Sequence, residues 1–190
     1  MIEDKGESTD LNGKFTTKGL VGLIKETLSI LIIAFLLSMV LKAYVVEARL
    51  IPSGSMLPTI QEQDRVLVNK FIYRFQLPER FEVIVFEPPL ETGHHEDFIK
   101  RVIGLPGETV EVKDGKVYID GEVLIEDYIQ EEPNYSFGPV VVPANSLFVM
   151  GDNRNRSFDS HLWSGWLSLD KVKGKAFYTY WPLDRMGVMK

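Results

Sequence analysis

The feature that most constrains the fold is a run of apolar residues near the N-terminus. Residues 27–41 contain no charged side chain. Extending the run to Val46 gives twenty residues, in which Lys42 can snorkel and Tyr44 suits a membrane interface. A helix of that length rises about 30 Å, which matches the hydrocarbon core of a bilayer. Because the run has no polar face, a buried core helix is disfavoured, and we predict a transmembrane helix over residues 27–46.

The segment before this run bears on whether the helix is retained and how it is oriented. It is long and net acidic, and no small-x-small motif follows the run closely, so an uncleaved anchor is favoured over a cleaved signal peptide. Residues 1–26 are predicted to form a disordered cytoplasmic tail. Its four lysines favour a cytoplasmic N-terminus and an extracytoplasmic location for residues 47–190.

The pattern after residue 47 is that of a β-domain. Short segments rich in β-branched and aromatic residues are separated by Gly, Pro and Asp, and no long 3.6-residue period occurs. The predicted strands cover residues 65–73, 81–86, 97–103, 109–112, 116–119, 147–150 and 174–181. Asp114-Gly115 predicts a tight hairpin within a small β insertion at about residues 107–143. The predicted fold class is mainly β, an antiparallel β-sheet catalytic domain with this insertion, preceded by one transmembrane helix.

Composition excludes several classes of function. The net charge of −6, without a long basic run, argues against nucleic acid as a partner. The chain has no cysteine, so disulfides and a cysteine nucleophile are excluded. Three histidines are too few and too poorly spaced for a zinc site without several carboxylates. We therefore expect no metal and no cofactor.

A candidate nucleophile lies shortly after the apolar run. Residues 51–59 read Ile-Pro-Ser-Gly-Ser-Met-Leu-Pro-Thr, with two serines around Gly54 and a proline on either side. The prolines restrict the backbone, and the glycine permits a close approach or a positive φ. A serine in such a rigid turn can present its hydroxyl as a nucleophile beside backbone N–H groups. An ordinary polar loop is the alternative reading of this nonapeptide.

Such a serine needs a base, and Lys100 is a better candidate than either loop histidine. In a strand, Lys100 shares a face with Phe98 and Val102, and burial lowers the pKa of a lysine. A neutral lysine can then accept the serine proton. The alternative is a lysine that extends from the sheet edge into water. His94 and His95 lie in a polar loop and are expected to be solvated.

Several motifs, in this order, resemble those of type I signal peptidases. They are Pro-Ser-Gly-Ser-Met around Ser55, the strand at residues 64–70, Phe-Ile-Lys-Arg-Val-Ile-Gly-Leu-Pro-Gly-Glu around Lys100, and Gly-Asp-Asn-Arg-Asn-Arg-Ser-Phe-Asp-Ser at 151–160. Trp181-Pro-Leu resembles the closing segment of the family. The resemblance covers nearly everything from residue 47 onward together with the anchor. The motif at residues 151–160, with the His161 that follows it, is most similar to the cyanobacterial and plastid branch.

The resemblance implies a serine endopeptidase that uses a Ser/Lys dyad and an acyl-enzyme. By it, Ser55 is the nucleophile and Lys100 is the general base. The Ser55 backbone N–H and the Ser53 hydroxyl would form the oxyanion hole, and Ser157 would hydrogen-bond to Lys100 and orient it.

The resemblance also assigns supporting and substrate-binding residues. Asp152 would pair with Arg101, and Asp159 would buttress the loop. Its substrates would be secretory preproteins, cleaved after signal peptides with small residues at positions −1 and −3 (Ala-x-Ala). By motif position, the substrate groove would be lined by Ile51, Ile60 and Ile99.

The resemblance further implies where the enzyme acts. The lipid bilayer is an expected partner, and the protein-export machinery is a further one. The expected location is the outer surface of the cell membrane, or a thylakoid membrane where the source has one. Only nine residues separate Val46 from Ser55, which would hold the active site close to the bilayer.

The chain departs from the common pattern at two positions. The motif at residues 151–160 is followed by His161 where many bacterial members have arginine, so the Asp159 partnership is expected to be weaker or pH-dependent. Ser164 interrupts the Trp-Gly run of the cyanobacterial and plastid branch, and nothing in the sequence explains it.

Three other functions fit parts of the sequence. A self-cleaving repressor protease uses a similar Ser/Lys site, by resemblance, but would carry a DNA-binding domain in place of an anchor. Within proteases, Ser55 could pair with His161 and with Asp152 or Asp159. A membrane-anchored β binding module without catalysis would require all the motifs to be coincidental.

Overall fold

The computed structural model describes residues 17–189. Within this range the chain forms one α-helix, α1 (Thr17–Tyr44), followed by twelve β-strands. The strands are β1 Val46–Leu50, β2 Arg65–Asn69, β3 Val83–Phe86, β4 Phe98–Gly104, β5 Thr109–Lys113, β6 Lys116–Ile119, β7 Glu122–Val123, β8 Phe137–Val141, β9 Ser146–Met150, β10 Leu167–Ser168, β11 Val172–Trp181 and β12 Gly187–Val188. The chain divides into two compact units, one up to Leu41 and one from Lys42.

The helix differs from the predicted anchor at both ends. It begins at Thr17, so residues 17–26 are helical and their assignment to a disordered tail was wrong. Lys, Leu and Glu in this stretch favour helix, and an existing helix extends more readily than a new one nucleates. The helix ends at Tyr44, because Val46 already begins β1. Residues 1–16 of the predicted tail lie outside the described residues.

The apolar part of α1 is suited to a membrane. The segment Gly22–Met39 is long and apolar enough to cross a bilayer, and none of it is buried inside the protein. Its large side chains, including Leu31, Ile33 and Phe35, are more than half exposed. An apolar helix that no protein surface covers is stable in lipid, where its backbone groups satisfy one another.

The second unit is built on an antiparallel sheet, which confirms the predicted fold class. The strand order is β1-β2-β11-β3-β4-β9-β10, and β12 pairs with β11. Each strand pairing of this sheet is antiparallel. Strand β4, which carries Lys100, lies between β3 and β9. Its residues from Ile99 to Gly104 are buried, so both faces of this strand are covered.

Two predicted strands are shorter than expected. β2 ends at Asn69 rather than at residue 73, because the Asn69 Oδ1 accepts hydrogen bonds from the backbone N–H groups of Phe71 and Ile72. These hydrogen bonds form a turn, so the strand-to-strand hydrogen bonding of β2 ends at this residue. β3 begins at Val83 rather than at residue 81, since Phe81 has a φ of 73°, outside the β region.

A second sheet of four strands, β7-β6-β5-β8, occupies the range predicted for the insertion. The hairpin between β5 and β6 turns at Asp114 and Gly115, whose φ values are 51° and 74°. Two successive positive φ values match the right-handed twist of the strands, as the Asp-Gly pair predicts. Its buried side chains include Val110, Val112 and Val117, which pack with Phe148 and Met150 of the main sheet.

Candidate active site

The candidate nucleophile lies in a short 3₁₀ turn that follows β1. The turn covers Gly54–Met56, and the Leu57 backbone N–H donates to the Gly54 carbonyl at 3.2 Å. The side chains of Met56 and Ile60 are fully buried, which anchors the turn in the core. Ser55 itself is only 9% exposed. The sequence thus places this hydroxyl on a rigid backbone.

Lys100 meets Ser55 from the central strand β4. Its Nζ lies 2.8 Å from the Ser55 Oγ and donates to the Ile99 carbonyl at 3.0 Å. The Phe98 ring centroid lies 5.4 Å from the same nitrogen. Burial lowers the pKa of Lys100 to about 8, although the Asp159 and Asp152 carboxylates oppose this shift. A substantial fraction of this amine is therefore neutral near pH 8, as a general base requires.

Ser157 does not make the predicted hydrogen bond to Lys100. Its Oγ is buried without a hydrogen-bond partner, and Lys100 instead contacts Ser55 and the Ile99 carbonyl. The Ser157 side chain nevertheless lies close to the site. A Cβ on Gly151 would overlap both the Ser157 Oγ and the Ser55 carbonyl oxygen, so only glycine permits this approach.

The loop that follows β9 is bonded directly to the nucleophile turn. The Asn153 backbone N–H donates to the Ser55 carbonyl at 3.1 Å, and its side-chain amide donates to the Gly54 carbonyl at 3.0 Å. Asn153 therefore holds the carbonyl groups on both sides of Ser55. No role was predicted for this residue from the sequence, although it belongs to the motif at residues 151–160.

The predicted pairing of Asp152 with Arg101 is present and fully buried. The Arg101 Nε and Nη2 donate to the two Asp152 carboxylate oxygens at 2.8 and 2.6 Å. Both side chains are 0% exposed. The Thr59 hydroxyl also donates to Asp152, at 2.6 Å. Since Arg101 follows Lys100 and Thr59 follows Ser55, this pair ties together the segments that carry the candidate dyad.

Asp159 joins the same loop to His161. One carboxylate oxygen accepts from the Gly151 backbone N–H at 2.9 Å, and the other lies 2.6 Å from the His161 Nδ1. The His161 ring stacks on Tyr135 with centroids 4.1 Å apart. Histidine thus contacts Asp159 at the position where arginine was noted in other members. This arrangement does not support a Ser55–His161 pair, because Lys100 is the group at the Ser55 hydroxyl.

One cavity opens beside Ser55, and a second cavity adjoins the first. The first has a volume of about 490 Å³ and is lined by Ser53, Ser55, Lys100 and Phe158, among others. The second, of about 450 Å³, is lined by Ile51, Leu50 and Val85. Both are bordered by Pro52, Glu96, Asp97, Phe98 and Ile99.

Of the three predicted groove residues, two line these cavities. Ile51 lines the second and Ile99 lines both. Ile60 lines neither cavity; its side chain is fully buried in a core cluster that also includes Ile51 and Ile99. The bond from its backbone N–H to the Met56 carbonyl turns the chain inward at this point.

Comparison with known proteins identifies the family. Residues 24–181 match the family described as "Signal peptidase, peptidase S26". The chain belongs to this family. A probable signal peptidase I-2 of Synechocystis sp. is 45% identical over 162 residues, covering 84% of this chain and 74% of that protein. Signal peptidase I of Leptolyngbya laminosa is 47% identical over 160 residues, covering 82% and 78%.

A plastid protein is also similar to this signal peptidase. Thylakoidal processing peptidase 1 of Arabidopsis thaliana is 36% identical over 192 residues, covering 97% of this chain and 56% of that protein. The similarity to these relatives supports the predicted placement of the chain in the cyanobacterial and plastid branch of the family. The enzyme is a serine endopeptidase, signal peptidase I. The self-cleaving repressor and the non-catalytic binding module are correspondingly disfavoured.

The structure also shows the surroundings of His94 and Ser164, two residues considered in the sequence analysis. His94 is exposed, as predicted, and its ring contacts those of Phe98 and Phe158 at centroid distances of 5.2 and 5.5 Å. Ser164 is exposed between Trp163 and Trp166, which pack into different core clusters. Within residues 17–189, no group of carboxylates and histidines is arranged to hold a metal ion.

Proposed function

We propose that Ser55 and Lys100 form the catalytic dyad of this signal peptidase and release signal peptides through an acyl-enzyme. The observation that carries the proposal is the 2.8 Å contact between Lys100 Nζ and Ser55 Oγ at a site where both side chains are buried. Burial disfavours the ammonium, and a neutral amine at hydrogen-bond distance can accept the hydroxyl proton.

In the proposed reaction, Lys100 takes the proton of Ser55 as the Oγ attacks the scissile carbonyl carbon. The negative charge that develops on the carbonyl oxygen is stabilised by the Ser55 backbone N–H and the Ser53 hydroxyl. Ser53 is exposed and lines the same cavity as Ser55. The lysine then gives its proton to the departing amine, which leaves an ester at Ser55. Lys100 next deprotonates a water, whose oxygen attacks this ester; the bond to Ser55 Oγ breaks, Lys100 returns the proton to that oxygen, and the signal peptide leaves with a free carboxylate.

The proposed substrates carry small residues at positions −1 and −3, as the family resemblance implies, and the two adjoining cavities could receive these two side chains. In an extended peptide, side chains two residues apart point to the same side. The side chains at −1 and −3 would therefore enter neighbouring cavities, with Ile99 lining both. An exposed strand edge beside the site would add main-chain hydrogen bonds to the peptide.

Cleavage of matched peptides tests this function. The full-length enzyme in detergent is expected to cut an Ala-x-Ala peptide after its second alanine, as read by mass spectrometry. Replacing the alanine at −1 with phenylalanine should lower kcat/KM at least about 10²-fold if the subsite selects small side chains, as proposed. The same replacement at −2 serves as the control and should have a much smaller effect. Equal cleavage of all three peptides would exclude the proposed specificity.

The lowered pKa of Lys100 predicts the pH dependence of the reaction. The active form is the neutral amine, so kcat/KM should rise with pH and level off above a midpoint at about pH 8. Well below the midpoint the increase should be about tenfold per pH unit, as for a single ionisation. Initial rates on an Ala-x-Ala peptide measure the profile. A profile that is flat from about pH 6 to 9 would remove Lys100 as the base.

We also propose that the N-terminus is cytoplasmic and that the catalytic unit acts outside the cytoplasm. The lysines before the anchor favour this orientation, and signal peptides would reach the enzyme in the same bilayer from the protein-export machinery. The chain lacks cysteine, so a single cysteine at exposed Lys113 can report the side. We expect a membrane-impermeant maleimide to label this cysteine in intact bacterial cells. If the cysteine were labelled only after lysis, the catalytic unit would lie in the cytoplasm and the proposed orientation would be wrong.

A further inference from the structure

A second buried ion pair lies outside the candidate dyad. Arg154 of the loop after β9 binds Glu126, which follows the hairpins of the second sheet, with two hydrogen bonds of 2.6 and 2.7 Å. The two side chains are 0% and 4% exposed. A bidentate pair of this kind fixes both position and orientation of the guanidinium. Glu126 therefore provides the buried countercharge that Arg154 requires.

Arg154 transmits this constraint to the backbone beside Ser55. Its Nε donates to the Gly151 carbonyl at 3.0 Å, while the Gly151 N–H is held by Asp159 at 2.9 Å. Both polar groups of Gly151 are thus fixed. Two residues later, the Asn153 N–H binds the Ser55 carbonyl. Glu126 is thus connected to the Ser55 backbone through Arg154, the loop from Gly151 to Asn153, and the hydrogen bond from Asn153 to the Ser55 carbonyl.

Tyr128 connects the same carboxylate to the residue beside Lys100. Its hydroxyl donates to the Glu126 Oε1 at 2.5 Å. The Arg101 guanidinium lies over its ring at 4.1 Å from the centroid, and the Arg154 guanidinium lies 5.8 Å away on the same ring. Cation–π contacts of buried guanidinium groups are directional. Tyr128 thus links Glu126 to Arg101, which follows Lys100 in β4.

We propose that Glu126 is a positioning residue of the active site, which holds the loop at residues 151–155 in register with Ser55. The inference rests on the proposed Ser55–Lys100 dyad. Without the Glu126 carboxylate, Arg154 is a buried cation without its countercharge and moves toward water, and the Gly151 carbonyl loses its donor. A displacement of about 1 Å in a reacting group is sufficient to slow a reaction about 10²-fold.

The test compares Glu126→Gln with Glu108→Gln in the full-length enzyme in detergent. Glu108 also belongs to the second-sheet region and also pairs with an arginine, Arg80, at 2.5 Å. For Glu126→Gln we expect kcat to fall about 10- to 100-fold with KM within about twofold, because geometry rather than binding is lost. Glu108→Gln should leave kcat unchanged. Equal kcat values for both variants would overturn the proposal.

A double variant separates positioning from folding. The double variant Glu126→Met/Arg154→Met lacks both charges. Its free energy of unfolding, measured in urea, should therefore be close to that of the wild type. The Gly151 carbonyl still lacks its donor, and kcat should remain low. A folded double variant with wild-type kcat, or one that fails to fold, overturns the inference. Failure of the dyad is distinct, since it appears as retained cleavage by Ser55→Ala or Lys100→Met.

Discussion

Ser55→Ala and Lys100→Met are each expected to lower kcat by about 10³-fold or more on an Ala-x-Ala peptide. The first substitution removes the proposed nucleophile, and the second removes the amine that lies at hydrogen-bond distance from its hydroxyl. General-base catalysis by itself contributes about 10²- to 10⁴-fold, and without a base the serine cannot start the acylation step. Single-turnover cleavage by the full-length enzyme in detergent measures both losses.

The two substitutions are expected to be non-additive. If Ser55 and Lys100 act as a unit, the double variant should be no slower than either single variant. Lys100→Met should also leave the protein at least as stable as the wild type. Methionine fills a similar volume, and it removes an ionisable group from a site that is only 5% exposed. An inactive but stable Lys100→Met variant therefore cannot be attributed to unfolding.

His161→Ala is the matched control for the base. His161 contacts Asp159, whose second oxygen continues to hold the Gly151 N–H. Activity within about tenfold of the wild type is expected, the scale of losing one hydrogen bond. The opposite pattern, with His161→Ala inactive and Lys100→Met active, would assign the base to histidine and exclude the dyad.

Local chemistry explains which parts of the site could be predicted from sequence. The turn around Ser55 was predictable because two prolines and a glycine restrict the backbone within nine residues. Lys100 was predictable because strand alternation gives it apolar neighbours on its own face, and Phe98 does contact its amine. The presence of the N-terminal helix was equally predictable from its apolar run. Its first residue was not, because the helix extends into the preceding residues through their helix propensity.

The remaining features depend on contacts between segments that are distant in sequence. Glu126 and Arg154 are 28 residues apart, and no local pattern in either segment indicates the pair. Ile60 and Ile99 are chemically alike and share one core cluster, yet Ile99 lines both cavities and Ile60 lines neither. The Ser157 assignment relied on the family pattern, whereas the Lys100 amine contacts Ser55 and the Ile99 carbonyl instead. Such outcomes are set by packing, which sequence periodicity does not encode.

Asp152→Ala is expected to lower the free energy of unfolding by about 3–5 kcal/mol, because it leaves the Arg101 guanidinium buried without its carboxylate. Both side chains are 0% exposed, so solvent cannot compensate. The chain has three tryptophans, at 163, 166 and 181, all within the second unit. Their fluorescence during urea unfolding of the full-length enzyme in detergent therefore reports on this unit.

The size of this effect can be attributed to burial by comparison with an exposed pair. Glu87 and Lys171 are 3.0 Å apart, but each side chain is 39% exposed. Glu87→Ala should therefore change the free energy of unfolding by less than about 1 kcal/mol.

Replacing both partners should recover much of the loss in Asp152→Ala, as in Arg101→Met with Asp152→Leu, since an apolar pair leaves no buried charge behind. If Asp152→Ala lowered the free energy of unfolding as little as Glu87→Ala, the Arg101–Asp152 pair would not hold the dyad segments together. The stability of the site would then have to come from the backbone bonds of Asn153 and Gly151 instead.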